Sequence, residues 1–258
     1  KNLDELNKKL DDFSFRVLKK DCLDLPNKVY MPRYVSLTKR QLELYEQIRK
    51  EALVLFEDGR LVSAPQMVTQ MLRLQQILSG YLTTDDGYQE NFDTKRIDAL
   101  LDICYETSGK IIVWSRFRYD IMKIAQVLSD HFGEHKVAKY FGDTKDDQRS
   151  EIVDRFQDPN SDLRFFIGNP STAGRGLTLT EGHTVVYYAN DFNLDTRIQS
   201  EDRCHRIGQN KSVTYIDLIS EGTIDEKIVH SLVNKIDLSA KVLGEEAKEW
   251  LQIKPKKA

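Results

Sequence analysis

From Asp93 onward the chain alternates short β-branched apolar runs with amphipathic stretches, and few folds accept that rhythm. Lys110-Ile-Ile-Val-Trp114 has no polar face, as expected of a strand covered on both sides in a parallel sheet. Similar runs stand at 136–141, 163–168, 184–189 (TVVYYA) and 212–219, so five strands are countable between residues 110 and 220. Helical spacing falls between them. Ile97, Leu100, Leu101 and Cys104 share one face over 95–107, and further helices are predicted over 119–132, 145–156, 194–205 and 224–234. Thr144 with Asp147 imitates a capping box, and Thr223 stands where the last helix opens. The pattern predicts an α/β fold, a parallel sheet flanked by helices.

Residues 1–90 read differently. Leu42, Tyr45, Ile48, Ala52, Leu55 and Phe56 recur at helical spacing over 37–56, behind Ser36 and Thr38. Met67, Met71, Leu74, Ile77 and Leu78 do so over 65–78, where the methionines read as core filling. Gly80 and the turn chemistry of Thr83-Thr84-Asp85-Asp86-Gly87 close this part. The expected division is a linker and helical extension over 1–90, an α/β lobe over 91–235, and a helix (238–251) with a basic tail over 236–258.

Charge narrows the function classes. With 38 Lys+Arg against 41 Asp+Glu, the net charge of −3 excludes a protein that coats phosphate with its whole surface, though not a local grip. No run of eighteen apolar residues exists, so no membrane span is expected. Cys22, Cys104 and Cys204 are isolated, which argues against disulfides or a cysteine zinc site and for a reducing cytosolic setting. His131 and His135 have no further ligands nearby in sequence, and no metal is expected. The chain opens without Met or a signal-peptide core, as an excised fragment would.

Ligands of such sheets collect in the loops beyond the strands' carboxyl ends, and three loops have unusual composition. Ser115-Arg116-Phe117-Arg118 suits phosphate or strand binding, although alone it is better read as a solvated helix N-terminus. In the loop from Gly168 to Gly176, small residues and the Ser171 and Thr172 hydroxyls leave backbone N–H groups open to an anion. Gly174 and Gly176 there permit geometry that a side chain forbids, and an ordinary glycine turn is the alternative. The third loop leads to QSEDRCHRIGQ (199–209). On a continuing helix Gln199, Arg203 and Arg206 project from one side, and Gly208 falls at a C-cap. Two guanidiniums aimed at one point suit a charge that grows during phosphoryl transfer. For either arginine alone, pairing with Glu201 or Asp202 on an exposed helix would be the simpler account.

In combination these segments resemble the second RecA-like lobe of the SNF2 (Swi2/Snf2) family, ATP-dependent DNA translocases of helicase superfamily 2. KIIVWSRFRYDIMKIAQVL (110–128) resembles motif IV, FFIGNPSTAGRGLTLTEGHTVVYY (165–188) motif V, and QSEDRCHRIGQ motif VI. YFGDTKDDQRSEIVDRFQD, VTYIDLISEGTIDEKI, LPNK, LTKRQLELYEQI and MLRLQQILSG match further landmarks in order, so the likeness covers nearly the whole chain. Motif V is about one residue shorter than the common form, with Arg175 between its glycines. The 190–194 segment has Phe192 and Leu194 where the family usually has tryptophan and proline, which leans toward a phage or bacterial branch.

The resemblance implies that Arg203 and Arg206 are catalytic arginine fingers. Gln199, Gly174, Gly176, Arg203 and Arg206 would meet ATP, and Ser115, Arg116, Ser171 and Thr172 would meet the DNA backbone. The only Gly-Lys, Gly109-Lys110, is followed by Ile111 and preceded by no phosphate loop, and no DExH-like tetrapeptide follows a strand. ATP and Mg²⁺ are therefore expected to be held mainly by a first lobe outside this chain, leaving this chain alone inactive for hydrolysis. The expected partners are that lobe and double-stranded DNA, with no membrane, in a monomer. A bacterial or phage-infected cytoplasm is the expected location, with the nucleus if the source is eukaryotic. Alternatives are a non-catalytic RecA-like module that binds DNA or protein, or the lobe of a strand-separating helicase.

Overall fold

A computed structural model describes residues 22–57, 64–84, 86–173 and 176–234, together with Glu5 and Lys9. The helix expected over 238–251 and the basic tail lie outside the described residues. The described chain runs β1 (Lys28–Val35), α1 (Lys39–Glu57), α2 (Ala64–Ser79), β2 (Tyr81–Thr83), β3 (Gln89–Asn91), α3 (Lys95–Glu106), β4 (Lys110–Ser115) and α4 (Arg118–Phe132). It continues β5 (Val137–Tyr140), α5 (Asp146–Gln157), β6 (Phe165–Gly168), α6 (Pro170–Ala173), β7 (Gly182–Ala189), α7 (Leu194–Glu201), β8 (Val213–Ser220) and α8 (Ile224–Val233).

Six strands form one parallel sheet in the order β1-β8-β7-β4-β6-β5. The α/β expectation holds, and the five strands counted from apolar runs are β4 to β8. Strand period fixes the layering. Ile111 and Val113 of β4 point into a cluster with Leu100, Ile103, Ile121, Ile124 and Leu128 from α3 and α4. Ile112 and Trp114 point the other way, toward Phe156 of α5, Phe166, Leu179, Val185 and Tyr215. All four β4 residues have 0% exposure, so both faces are covered. A third cluster joins Tyr45, Ile48, Met71, Leu74 and Ile77 of α1 and α2 to Ile224, Ile228 and Leu232 of α8, confirming the methionines as core. Tyr45 Oη also accepts the Ile224 N–H at 2.8 Å, and Gln41 Nε2 donates to the carbonyls of Ile77 and Leu78.

β1 has no counterpart in the sequence reading, which set its residues in the helical extension. It pairs in parallel with β8 from Lys28↔Val213 to Val35↔Ser220, as an edge strand. Pro32 interrupts its pattern, and Val29, Tyr30, Met31 and Tyr34 are all exposed. A proline is tolerated in a strand at an edge, where a ladder hydrogen bond can be spared.

Two helix termini also differ. Thr144 does not cap α5: its Oγ1 accepts from Phe141 N and donates to the Lys139 carbonyl, closing the turn after β5. Lys145 is the N-cap and makes no side-chain cap bond. α7 stops at Glu201 instead of running to His205. The carbonyl of Arg203 accepts from Leu179 N at 2.9 Å, so tertiary bonding replaces the next helical turn. By contrast Thr94 and Thr223 cap α3 and α8 through their side chains.

Asp120, fully buried in the first turn of α4, joins three elements. Ser115 Oγ donates to its Oδ2 at 2.6 Å from β4, and Ser79 Oγ at 3.1 Å from α2. Burial raises its carboxyl to about 7, with the two hydroxyls pulling the other way. The folded value thus lies above the unfolded one, so the folded state keeps a proton that the unfolded chain has lost. Stability contributed by that proton is complete below about pH 4 and is lost as pH rises to about 7. Denaturant titrations of wild type and Asp120→Asn should diverge across this window by up to about 4 kcal/mol, at about 1.4 kcal/mol per pH unit. An unchanged slope in the variant would refute the assignment.

Candidate functional site

At the carboxyl ends of the strands, the loops after β4, β6 and β7 meet around Arg116. Its Nη1 donates to Gln75 Oε1 of α2 at 2.9 Å, and its guanidinium lies 5.1 Å from the Phe192 ring and 5.4 Å from that of Phe117. Gln75 Nε2 donates in turn to the Asn190 carbonyl, so one side chain bridges both loops to α2. Burial pulls the Arg116 guanidinium below its ordinary value, and Asp191 opposes that shift. Asn169 Nδ2 donates to the Arg116 carbonyl, while its Oδ1 accepts from Ser171 N at 2.9 Å. Ser171 is exposed and Thr172 half-buried. Arg116, Ser171 and Thr172 are therefore held in one place by Asn169. Ser115 is not available there: it is fully buried with its hydroxyl on Asp120, a correction to its expected place on the nucleic-acid surface.

The arginine pair lies elsewhere, beside the segments that enter β1 and β7. Arg206 Nη1 donates to the Leu177 carbonyl at 3.1 Å, and Arg203 Nη1 reaches the same oxygen at 3.5 Å. Arg203 Nε donates to the carbonyl of Gln199, whose side chain is exposed. Burial and then the neighbouring Arg206 draw the Arg203 guanidinium below its usual value, while Asp202 opposes. Gly176, next to Leu177, has φ of 82°, and a Cβ there would meet nothing within 4 Å, so its need is conformational. Gly174 lies outside the described residues. Gly208, at φ of 97°, caps no helix but closes the turn in which Gln209 N donates to the Arg206 carbonyl. Gln209 Nε2 fixes that turn to the Thr180 carbonyl.

The charged centre that orients this turn was not singled out in the sequence. Arg197, buried in α7, donates to both oxygens of Asp217 in β8 at 2.6 and 3.1 Å, to Asn190 Oδ1 at 2.8 Å and to Glu201 Oε1 at 2.8 Å. Its guanidinium stacks 3.5 Å over the Tyr187 ring. Burial is the largest single influence and disfavours its charge, but Asp217, Tyr187 and Glu201 together outweigh it and hold the group well above its ordinary value. The available signal was Asp217, the single acidic residue in the strand VTYIDLIS.

Comparison with known proteins adds to this geometry. Residues 95–208 match the family model described as the helicase conserved C-terminal domain. The chain is 30% identical over 256 residues to the SWI/SNF chromatin-remodeling complex subunit snf22 of Schizosaccharomyces pombe, covering 92% of this chain and 15% of that protein. It is 27% identical over 259 residues to the nuclear protein STH1/NPS1 of Saccharomyces cerevisiae, covering 92% of this chain and 19% of that one. The chain thus spans less than a quarter of either relative. Its fold matches the Sulfolobus solfataricus SWI2/SNF2 ATPase core solved with double-stranded DNA, with a TM-score of 0.68 and 24% identity over 97% of this chain and 56% of that one. The expected bacterial or phage-infected cytoplasm is overturned by the yeast relatives, one a chromatin-remodeling complex subunit and one named as nuclear.

Arg197→Ala should destabilise the chain by about 3–5 kcal/mol in chemical denaturation, because it leaves the buried Asp217 carboxylate without its cation and Glu201 with Lys28 alone. Arg197→Lys should recover only part of that, since an ammonium cannot reproduce the two-pronged bond to Asp217. Full recovery by lysine would show that charge alone suffices.

Proposed function

We propose that this chain, which belongs to the SNF2 family of helicase superfamily 2 as its C-terminal RecA-like lobe, supplies the arginine pair of a double-stranded DNA translocase. The observation that carries the reading is the convergence of Arg203 and Arg206 on one carbonyl beside Gly176. Two guanidiniums with donors directed at one oxygen suit the clustered oxygens of a triphosphate.

In this reading Arg206, with Arg203, faces the γ-phosphate of ATP held by a first lobe. Charge that builds on the transferring phosphoryl group is neutralised by donors already in position. The exposed Gln199 helps orient them, and the Gly174–Gly176 segment links the nucleotide to DNA. The cationic donor set suits phosphate oxygens and does not suit Mg²⁺, whose carboxylate ligands are assigned to the first lobe. Arg116, Ser171 and Thr172 contact the phosphate backbone, which positions the lobe without reading bases. The Sulfolobus neighbour was solved with double-stranded DNA, and snf22 is named a chromatin-remodeling complex subunit, which supports a motor of that kind. The chain alone hydrolyses no ATP.

In the full-length protein carrying both lobes, Arg206→Ala should leave ATP affinity within about twofold and reduce DNA-stimulated hydrolysis on the order of 10³-fold or more. Unchanged turnover would overturn the arginine assignment. Separately, Ser171→Ala with Thr172→Ala should weaken binding to duplexes of different sequence by similar factors in a filter or anisotropy assay. A loss confined to one sequence would contradict a backbone contact.

A further inference from the structure

The carboxylate of Glu201 is the last side chain of α7, two residues before Arg203 and five before Arg206. Three side chains converge on it. Oε2 accepts from Lys28 Nζ at 2.8 Å and from Tyr30 Oη at 2.7 Å, both on β1. Oε1 accepts from Arg197 Nε at 2.8 Å. The backbone carbonyl of the same residue accepts from Tyr215 Oη of β8 and from the N–H groups of Cys204 and His205, the two residues between the arginines. His205 makes a second tie, its Nε2 donating to the Pro26 carbonyl at 2.8 Å just before β1. The Tyr30 ring stacks on Tyr215 with centroids 5.3 Å apart, which sets the hydroxyl over the carboxylate.

We propose that Glu201 is a positioning residue for the arginine pair, and that the element it anchors the pair to is the edge strand with its entry segment, residues 26–30. The inference rests on the reading of Arg203 and Arg206 given above. A helix end held only by its own backbone frays within a turn. Here the end is pinned from both sides, so the chain leaves α7 in one direction and the two guanidiniums start from a fixed point. Glu201 touches neither nucleotide nor DNA in this scheme; it acts through the turn. Burial works against its charge, while Arg197 and Lys28 more than compensate and hold the carboxyl below its usual value, so it is ionised at neutral pH. Displacement of residues 26–30 would be transmitted to the arginines through Lys28, Tyr30 and the Pro26 carbonyl.

The test uses the full-length two-lobed protein, Glu201→Gln, and the milder Tyr30→Phe, which removes one donor at a half-exposed rim. Amide hydrogen exchange is read at Leu179, Cys204, His205 and Gln209, alongside steady-state ATP hydrolysis with saturating DNA. Glu201→Gln should speed exchange at these amides and lower kcat, each on the order of tenfold, as expected for loss of a charge-assisted bond, with KM for ATP within about twofold. Tyr30→Phe should move both readouts the same way by less. Exchange unchanged at the four amides overturns the proposal, as does acceleration spread equally over β4, which would make the residue merely structural. Faster exchange with unchanged kcat, where Arg206→Ala abolishes turnover, also overturns it. Should Arg206→Ala itself leave turnover intact, the arginine reading fails, and exchange alone then decides whether Glu201 sets the turn.

Discussion

A buried guanidinium must be matched by acceptors around its whole rim, because an unpaired charge in the interior costs far more than a lost surface contact. Arg197 meets that demand with Asp217, Asn190 and Glu201, and in doing so it draws β8, the loop after β7 and the end of α7 to one point. Glu201 extends the set to β1 through Lys28 and Tyr30. Four separate pieces of chain thus share a single charge-compensated centre. Displacing β8, α7 or β1 separates an ion pair, and displacing the loop costs Arg197 an acceptor, so the geometry on the β1 side of the sheet is held as a unit.

Arg96 ties chain segments together on the opposite face, through its two terminal nitrogens. From α3 its Nη1 donates to the Tyr188 carbonyl at 2.6 Å, and its Nη2 meets Ser220 Oγ and the carboxylate of Asp225 in α8. Successive side chains of a strand point to opposite faces, and β7 uses that alternation directly. Tyr187 lies under Arg197 on one side, and Tyr188 lies near Arg96 on the other, 6.0 Å from its guanidinium. The sheet is clamped by a cation on each face, on top of the apolar clusters contributed by α3, α4 and α5.

Much of this was legible in the sequence because apolar runs and helical spacing report burial directly. The strands β4 to β8 and the helices α1 to α5 and α8 fall where those patterns place them, within a residue or two. β1 was hidden because an edge strand containing Pro32, with four large apolar side chains exposed, carries no burial pattern. The end of α7 was hidden because helical spacing continues through Arg203 and Arg206, while the bond from Leu179 N that ends the helix comes from another segment. Arg197 and Glu201, four apart on a helix, look like an ordinary surface pair until Asp217 is set beside them. The arginines themselves were legible; their meeting point was not, since a backbone carbonyl has no signature in a sequence.

That meeting point has an energetic consequence. The Leu177 oxygen is a neutral acceptor shared by two cations, one at 3.1 Å and one at the outer limit of a hydrogen bond. Bonds of this kind are weaker than those made to an anionic oxygen. Side-chain rotation releases both donors from this oxygen, Arg203 giving up its bond to the Gln199 carbonyl as well, while the turn is also fixed through Gln209 and His205. The resting contact therefore works as a parking place: it keeps two like charges together and spares them full exposure to water, and it yields to any stronger acceptor that comes within reach.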